Sequence, residues 1–369
     1  MPIYMDRHDV SENVTAETVA KLHQEDLKIQ HKYNCRGLTY WFDDVRKTAF
    51  CLIEAPDKQS LTTMHKNAHG QVPYQIIEVD ADVVESFLGR IEDPENRDKT
   101  ELNIINEPAF RAIMVTGIKP YSFLNMKKEV LNLSIQKFNL STLSTIKQFK
   151  GRIVNHSNDY FMVSFASVAD AMKCALEVQR EFDKWKEKHD FINIKLKTGL
   201  SAGVPVTNSR TLFDDTVKTA ERLYYISMAK ILITNEVKEL YKNEEITNAL
   251  LTDRVEPVDP EDEKFLNQVM DRLEESWKNS EFRAIDLSRA LSMSKSKLYR
   301  RIISLTGKSP NTFIKDYRLK KAIHFFRLKK GNISEIAYET GFGSPSYFSK
   351  CFHQKYGIKP TDYLQLQEG

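Results

Sequence analysis

The sequence predicts a multidomain α+β protein, with two mixed strand-and-helix domains followed by an all-α one. Three observations carry this expectation. At 369 residues the chain exceeds the roughly 100–200 residues of an ordinary domain, so two or three cores are needed. Strand and helix signals alternate as far as about residue 248 and then yield, from Glu263 onward, to helical periodicity alone. Polar, proline-bearing stretches, EDPENRDKTE and RVEPVDPEDE, separate the segments. The expected division is a domain at 1–82, a linker at 83–107, a domain at 108–248, a linker at 249–262 and a domain at 263–369.

In the first segment, residues 2–10 read as a strand and 15–33 as a helix with apolar positions at Val19, Leu22, Leu27 and Ile29. The aromatic and β-branched runs 38–42 and 49–54, joined by the polar turn DDVRKT, predict a hairpin. Residues 60–68 follow as a helix ended by Gly70, and 75–79 as the last strand. The order βαββαβ suits an open, ferredoxin-like sandwich. The middle segment repeats the alternation, with strands at 111–118, 152–155, 161–165, 194–202 and 231–234 and helices at 168–186 and 215–226.

Composition narrows the setting. No apolar run reaches the roughly 18–20 residues that cross a bilayer, so no membrane partner is expected. The start MPIYMDRHDV lacks the basic opening and apolar centre of a secretory signal, which points to the cytoplasm. Cys35, Cys51, Cys174 and Cys351 are scattered without CxxC pairing, so they are expected to be reduced and mostly buried. Residues 283–362 hold seventeen Lys/Arg against five Asp/Glu, a net +12, which leaves −9 on the remainder of a chain whose total is +3. A basic module on an acidic body suggests a polyanion as the module's partner, because phosphate neutralisation and counterion release drive such binding.

Within that module two helix-turn-helix units are legible. The first has a short helix from Asp286 to Leu291, a turn at Ser292 and Met293, and a helix capped by Ser294 that runs to about Thr306. At 100° per residue Leu298, Ile302 and Leu305 share a packing face, while Ser296, Lys297, Tyr299 and Arg300 lie opposite or on the flanks. In the second, Ile333, Ile336 and Ala337 face a core, Gly341 ends the first helix, and a helix from Pro345 to about Tyr356 buries Phe348 and Phe352. Its outward residues include Ser346, Ser349 and Lys350. The intervening SPNTFIKDYRLKKAIHFFRLKK is one helix of about 28 Å at 1.5 Å per residue. That length lets two recognition helices reach successive major-groove faces about 34 Å apart.

The strings LYRRIISLTGKSP (298–310), RLKKA (318–322), ISEIAYETGFGSPSYFSKCF (333–352) and YGIKP (356–360) resemble the DNA-binding domain of AraC/XylS-type transcription regulators. Ser288 and Ser292 depart from that pattern, standing where Ala and Gly are usual. The resemblance implies double-stranded promoter DNA as partner. It agrees with the helical phase on Ser296, Lys297, Tyr299, Arg300, Ser346, Ser349 and Lys350 as base or groove contacts. Arg300 is the strongest candidate, since a guanidinium takes guanine bidentately. Arg301, Lys308 and Lys355 are expected on phosphates, which position without specifying. RNA polymerase and a second copy, through the middle or N-terminal domain, are the protein partners expected.

The middle segment resembles class III nucleotidyl cyclases through AIMVTGIKPYSFL (112–124), KGRIVNHSNDYFMVSFASVADAMKCALEVQ (150–179), KTGLSAGVPV (197–206) and LFDDTVKTAERL (212–223). Such cyclases need two carboxylates for two metal ions and an Asn/Arg pair for the transferring phosphoryl. Asp159 and Arg222 match. Gly117 stands where the first metal-binding Asp belongs, and Lys218 where the Asn belongs. No catalytic residues and no enzyme activity are therefore expected, and dimerisation is favoured over nucleotide binding.

Five of the nine histidines, His8, His23, His31, His65 and His69, lie early, and the i, i+4 spacing of His65 and His69 puts both on one helical face. MPIYMDRHDV (1–10), LTYWFDD (38–44), AFCLIEAPD (49–57) and HKNAHG (65–70) resemble small ferredoxin-like proteins with a nickel-binding member. The resemblance implies a divalent ion, nickel or zinc, with His8, His65 and His69 as candidate ligands and Asp6 and Cys51 behind them. The leading expectation is a DNA-binding transcription regulator that responds to a divalent metal. The rivals are a nucleotide-binding or cyclase enzyme with an appended DNA-binding domain, and a metal-storage or scaffold protein that touches nucleic acid non-specifically.

Overall fold

The computed structural model describes residues 1–94, 102–120, 128–157, 160–189, 194–244 and 253–368. The N-terminal segment folds as β1 (Ile3–Asp9), α1 (Ala16–Ile29), a 3₁₀ turn at Gln30–Tyr33, β2 (Arg36–Asp43), β3 (Thr48–Glu54), α2 (Lys58–Ala68) and β4 (Gln75–Val79). Thr15 and Asp57 cap the two helices through their side chains. The sheet order is β2-β3-β1-β4, antiparallel throughout, as the βαββαβ reading requires.

Side-chain alternation gives this sheet two faces. Tyr4, Tyr40, Phe42 and Ile53 pack under α1 and α2. Met5, Leu38, Trp41, Phe50, Leu52 and Ile77 point the other way.

The segment expected as the first linker is partly built. Residues 81–88 form α3 (Ala81–Leu88), capped by Asp80, and Val84, Phe87 and Leu88 are buried beneath the first sheet. Ile105 is buried against α1 and α2, and its N–H donates to the Tyr40 hydroxyl. A stretch chosen for polarity thus carries apolar anchors at both ends.

The middle domain runs β5 (Arg111–Pro120), α4 (Lys128–Gln148), β6 (Arg152–Ser157), β7 (Tyr160–Phe165), α5 (Val168–His189), β8 (Ile194–Gly203), α6 (Asp214–Ile226), β9 (Ile231–Ile233) and α7 (Asn235–Glu244). Its sheet order is β10-β9-β8-β5-β7-β6, where β10 (Val255–Pro257) pairs in parallel with β9. Part of the second expected linker is therefore the edge strand of this sheet. The sequence did not announce α4 because its inner face carries Ser134, Thr142 and Thr145 beside Phe138 and Ile146. Thr142 and Thr145 satisfy their hydroxyls on the carbonyls of Phe138 and Ser141, which lets polar residues replace the usual apolar stripe.

The two sheets meet face to face. Ile113, Val115 and Met162 of the second contact the bare face of the first, with α3 wedged at the edge and Phe213, Ala220 and Tyr224 closing the layer. On its far side the second sheet buries Ala112, Met114 and Val163 under α4, α5 and α7.

The helical domain comprises α8 (Pro260–Ser276), α9 (Ala284–Ala290), α10 (Lys295–Thr306), α11 (Pro310–Arg327), α12 (Ile333–Glu339), α13 (Pro345–Tyr356) and α14 (Pro360–Glu368). Its core includes Phe265, Leu298, Ile302, Phe326, Phe348 and Phe352 and extends without a break into Leu223 and Ile226 of α6. The middle and helical domains therefore share a core.

The α6 helix lies so close on β8 that a Cβ at Gly199 would collide with the carbonyl of Ala220 and the N–H of Tyr224. Backbone cannot retreat as a side chain can. Gly199→Ala should cost about 1–3 kcal/mol by overpacking, read as a lower denaturation midpoint at unchanged m-value.

Candidate functional site

The first site lies between the helices and the strands of the N-terminal domain. Asp6 and His8 alternate with Met5 on β1, so both face α1 and α2, and the register sets Cys51 opposite Asp6. One turn of α2 brings His65 and His69 over the same place, and α1 adds Asp26. His65 is the hub, wholly buried, with Nε2 at 2.9 Å from Asp6 Oδ2 and Nδ1 at 3.1 Å from the Asp26 carboxylate. His69 Nε2 lies 3.2 Å from the same carboxylate, while its Nδ1 accepts the N–H of Gln71. That acceptance leaves the proton of the neutral ring on Nε2, where it donates to Asp26. His8 Nε2 lies 3.3 Å from Asp6 Oδ1, and the N–H of Cys51 donates to Asp6 at 3.1 Å.

Two groups of donor atoms result, Asp6 with His8 and Cys51, and Asp26 with His65 and His69, each within 4.8 Å. The trio His8, His65 and His69 expected from the sequence is divided between them, and Asp26 is the residue that the sequence reading missed. A signal for it was present: Asp26 falls in helical phase with the buried Val19 and His23, so it is an acidic residue on an inward stripe.

Electrostatics explain how the charges survive burial. Burial opposes ionisation of Asp6 and Asp26, but the imidazoles around them outweigh it and hold both carboxyls below their ordinary range. Burial likewise opposes a charged His65, yet the hydrogen bonds to Asp26 and Asp6 prevail and push its pKa up to about 10. Burial pushes the Cys51 thiol well up, beside two carboxylates. Without an ion the cluster is an imidazolium clamped by two carboxylates. With imidazole nitrogens, carboxylate oxygens and a thiol in one place, the donor set fits a borderline divalent ion such as nickel or zinc.

The second site is the helical domain's outer face. Ser294 caps α10 through the N–H of Lys297, and Ser344 caps α13 through that of Tyr347. Ser296, Lys297, Tyr299 and Arg300 on α10, and Ser346 and Lys350 on α13, are exposed, while Ser349 is half-buried. Tyr299 keeps half of its surface open, an unusual position for a tyrosine with no aromatic neighbour to bury it. Both units make their turn with a left-handed residue, Ser292 at φ 51° and Gly341 at φ 78°. Only Gly fits the second turn, where a Cβ would meet the carbonyl of Trp277. The first turn is open enough for Ser.

The three residues expected on phosphates have other partners. Arg301 donates to Asp262 and to the carbonyl of Glu261 and lies over the Phe265 ring at 4.1 Å, tying α10 to α8. Lys308, just past α10, and Lys355, near the end of α13, both pair with the buried Asp316 of α11. These charges face inward because one buried carboxylate needs them both, and burial of Asp316 is overcome by the two lysines, which lower its pKa. The pair of ion bridges fixes the two helix-turn-helix units to their connecting helix.

The cyclase-like positions are similarly redirected. Gly117 is a mid-strand residue of β5 opposite Lys197, and Lys218 pairs with Asp214. Arg222 is buried and donates to Asn267, Asp271 and Glu274 of α8. Asp159 lies outside the described residues. Next to Arg222, Tyr225 is boxed by Phe313 and Tyr317, with Lys320 Nζ 4.6 Å from its ring centre.

Fold and site define an AraC-type helix-turn-helix domain carried on a two-domain α+β body. Residues 287–366 match the family described as helix-turn-helix domain, and residues 4–79 the family described as nickel responsive protein SCO4226-like. Histidine kinase P4 of Formosa agariphila is 38% identical over 102 residues, 28% of this chain and 7% of that protein. The HTH-type transcriptional activator RhaS of Shigella boydii is 33% identical over 78 residues, 21% of this chain and 28% of that protein. The chain thus spans a minor part of the length of the curated relatives it matches. Among solved structures, the adenylate/guanylate cyclase/hydrolase from Silicibacter pomeroyi is 27% identical, covering 37% of this chain and 81% of that one at a TM-score of 0.32. No helix among the described residues is long and apolar enough to cross a membrane.

The cluster makes the protein's stability depend on pH. The His65 contribution is complete below its ordinary value of 6.5 and is lost as pH rises through about 10. The Asp6 and Asp26 contributions are present above the ordinary carboxylate value of 3.8 and are lost on acidification. Metal-free protein should therefore be most stable between these ordinary values and soften toward pH 10. His65→Gln should cost on the order of 3–5 kcal/mol by removing the cation that two buried carboxylates share, leaving Asp26 to His69 and Asp6 to His8 and the Cys51 N–H, and should flatten the alkaline limb. Thermal melts across pH read both; a flat alkaline limb in the parent would contradict the imidazolium.

Proposed function

We propose that the chain is a sequence-specific DNA-binding transcription regulator of AraC type, in which the N-terminal domain takes a divalent metal, nickel first. The observation that carries the reading is the pair of capped recognition helices on one frame, with Ser296, Lys297, Tyr299, Arg300, Ser346 and Lys350 exposed. Ser349 joins them from its half-buried place. Promoter DNA is the partner and the cytoplasm the setting. The cations left exposed on α10 supply base contact, while Arg301, Lys308 and Lys355 hold the frame. The metal reading rests on the donor set around His65 and on the match to a nickel responsive family. Bound there, a divalent ion supplies the charge that now comes from the His65 proton. Asp6 and Asp26 hold that charge, and His8, His65, His69 and Cys51 offer the softer donors.

The test is selection of bound sites from random DNA, followed by competition. Arg300→Ala should relax base preference at one operator position by about 1–3 kcal/mol and leave the others intact. Lys355→Ala should lower thermal stability through Asp316 and leave the salt slope of binding unchanged. Equal losses on all sequences for Arg300→Ala would contradict its assignment.

The second reading, a nucleotidyl cyclase, is favoured by the cyclase-like strings of the middle domain. Against it stand the missing carboxylate at Gly117 and the engagement of Arg222 with α8. Incubation with ATP or GTP and magnesium or manganese should yield no cyclic nucleotide above a buffer control. Production of one would overturn the non-enzymatic reading.

A further inference from the structure

Beside the buried cluster lies a cavity of about 360 Å³ between α1, α2 and the inner face of the first sheet. Its lining mixes Asp26, His65 and His69 with the apolar Val14, Val19 and Leu22. Liquid water takes about 30 Å³ per molecule, so the space exceeds what an ion with a few coordinated waters fills. The apolar part of that lining offers such waters no hydrogen-bond partner.

Two further observations point to an organic occupant. The Nε2 atoms of His8 and His23, both on side chains more than nine-tenths buried, make no hydrogen bond, and both residues line the cavity. Their acidic neighbours stand at 3.3 Å from Asp6 and 3.6 Å from Asp93 without bonding geometry. An unmade bond on a buried polar atom costs about 1–3 kcal/mol, which a ligand can recover. Each donor group also supplies three atoms, so a tetragonal nickel ion held by one of them, which takes at least four, keeps a position open to a donor from outside the chain.

We infer that the cluster takes its ion together with a small organic chelate, a bidentate N,O or O,O ligand bearing a branched apolar side chain. The donor pair completes the ion's coordination, and the side chain lies against Val14, Val19 and Leu22. Metal and chelate then bind as one effector, each raising the affinity for the other by the same factor. This inference rests on the metal reading above.

Equilibrium dialysis of the full chain tests it with three probes: nickel chloride alone, L-leucine alone, and both together, with citrate replacing leucine as a chelator that lacks an apolar side chain. L-leucine should be retained only with nickel, in equal proportion to it, and nickel should bind about tenfold tighter in its presence. Citrate should strip the metal. Val72→Trp, at an exposed position on the cavity wall, should abolish leucine retention and leave binding of nickel alone as in the parent. Nickel retained alone but stripped by leucine as by citrate would overturn the chelate and leave the metal reading standing. Leucine retention without nickel, or undiminished in Val72→Trp, would also overturn it. Absence of nickel under every condition would end both readings.

Discussion

The rest of the molecule depends on the burial of one sheet against the other. A four-stranded sheet with helices on one side exposes an apolar face of Met5, Trp41, Phe50 and Leu52, and such a face must be covered in water. Here Ile113, Val115 and Met162 of the middle domain cover it. The contact leaves the helix side of the first sheet as the place where Asp6, His8 and Cys51 can meet α1 and α2. It also fixes α6, which touches this layer through Ala220 and Tyr224 and the helical domain through Leu223 and Ile226. A continuous series of packed layers thus joins the N-terminal domain that holds the buried His65 cluster to the helical domain of α10 and α13.

Charge is distributed along that series in two ways. Carboxylates collect the cations nearest to them: the buried Asp316 takes Lys308 and Lys355, and the more exposed Asp271, Glu274 and Asp262 of α8 take Arg222 and Arg301. These pairs set angles between helices. Lys297, Arg300 and Lys350, on the outer faces of α10 and α13, stay in solvent.

The middle domain shows how a catalytic pattern can persist as architecture. The helix bearing Arg222 packs on α8, and its guanidinium meets Asn267, Asp271 and Glu274 there. With a second sheet on one side and α8 against α6, the domain joins the N-terminal domain to the helical one. Its own surface is largely engaged in that task.

The sequence by itself determined the parts whose physics is local. Period-2 alternation in β1 to β4, the caps Ser294 and Ser344, the left-handed Gly341 and the apolar stripes of α10 and α13 each follow from residues a few positions apart, and the exposed faces follow from the same phase. Even the His65–His69 pair is a local, one-turn relation. Only the tertiary structure decided what depends on distant segments. It brought Asp26 to His65 across 39 positions, divided the histidines into two groups, turned 81–88 and 255–257 from linkers into a wedge and an edge strand, and drew Lys308 and Lys355 inward onto Asp316. Helical phase reports which way a side chain points from its own axis. Which partner it meets there is set by how whole faces bury one another, and that burial is not written in any single stretch of the chain.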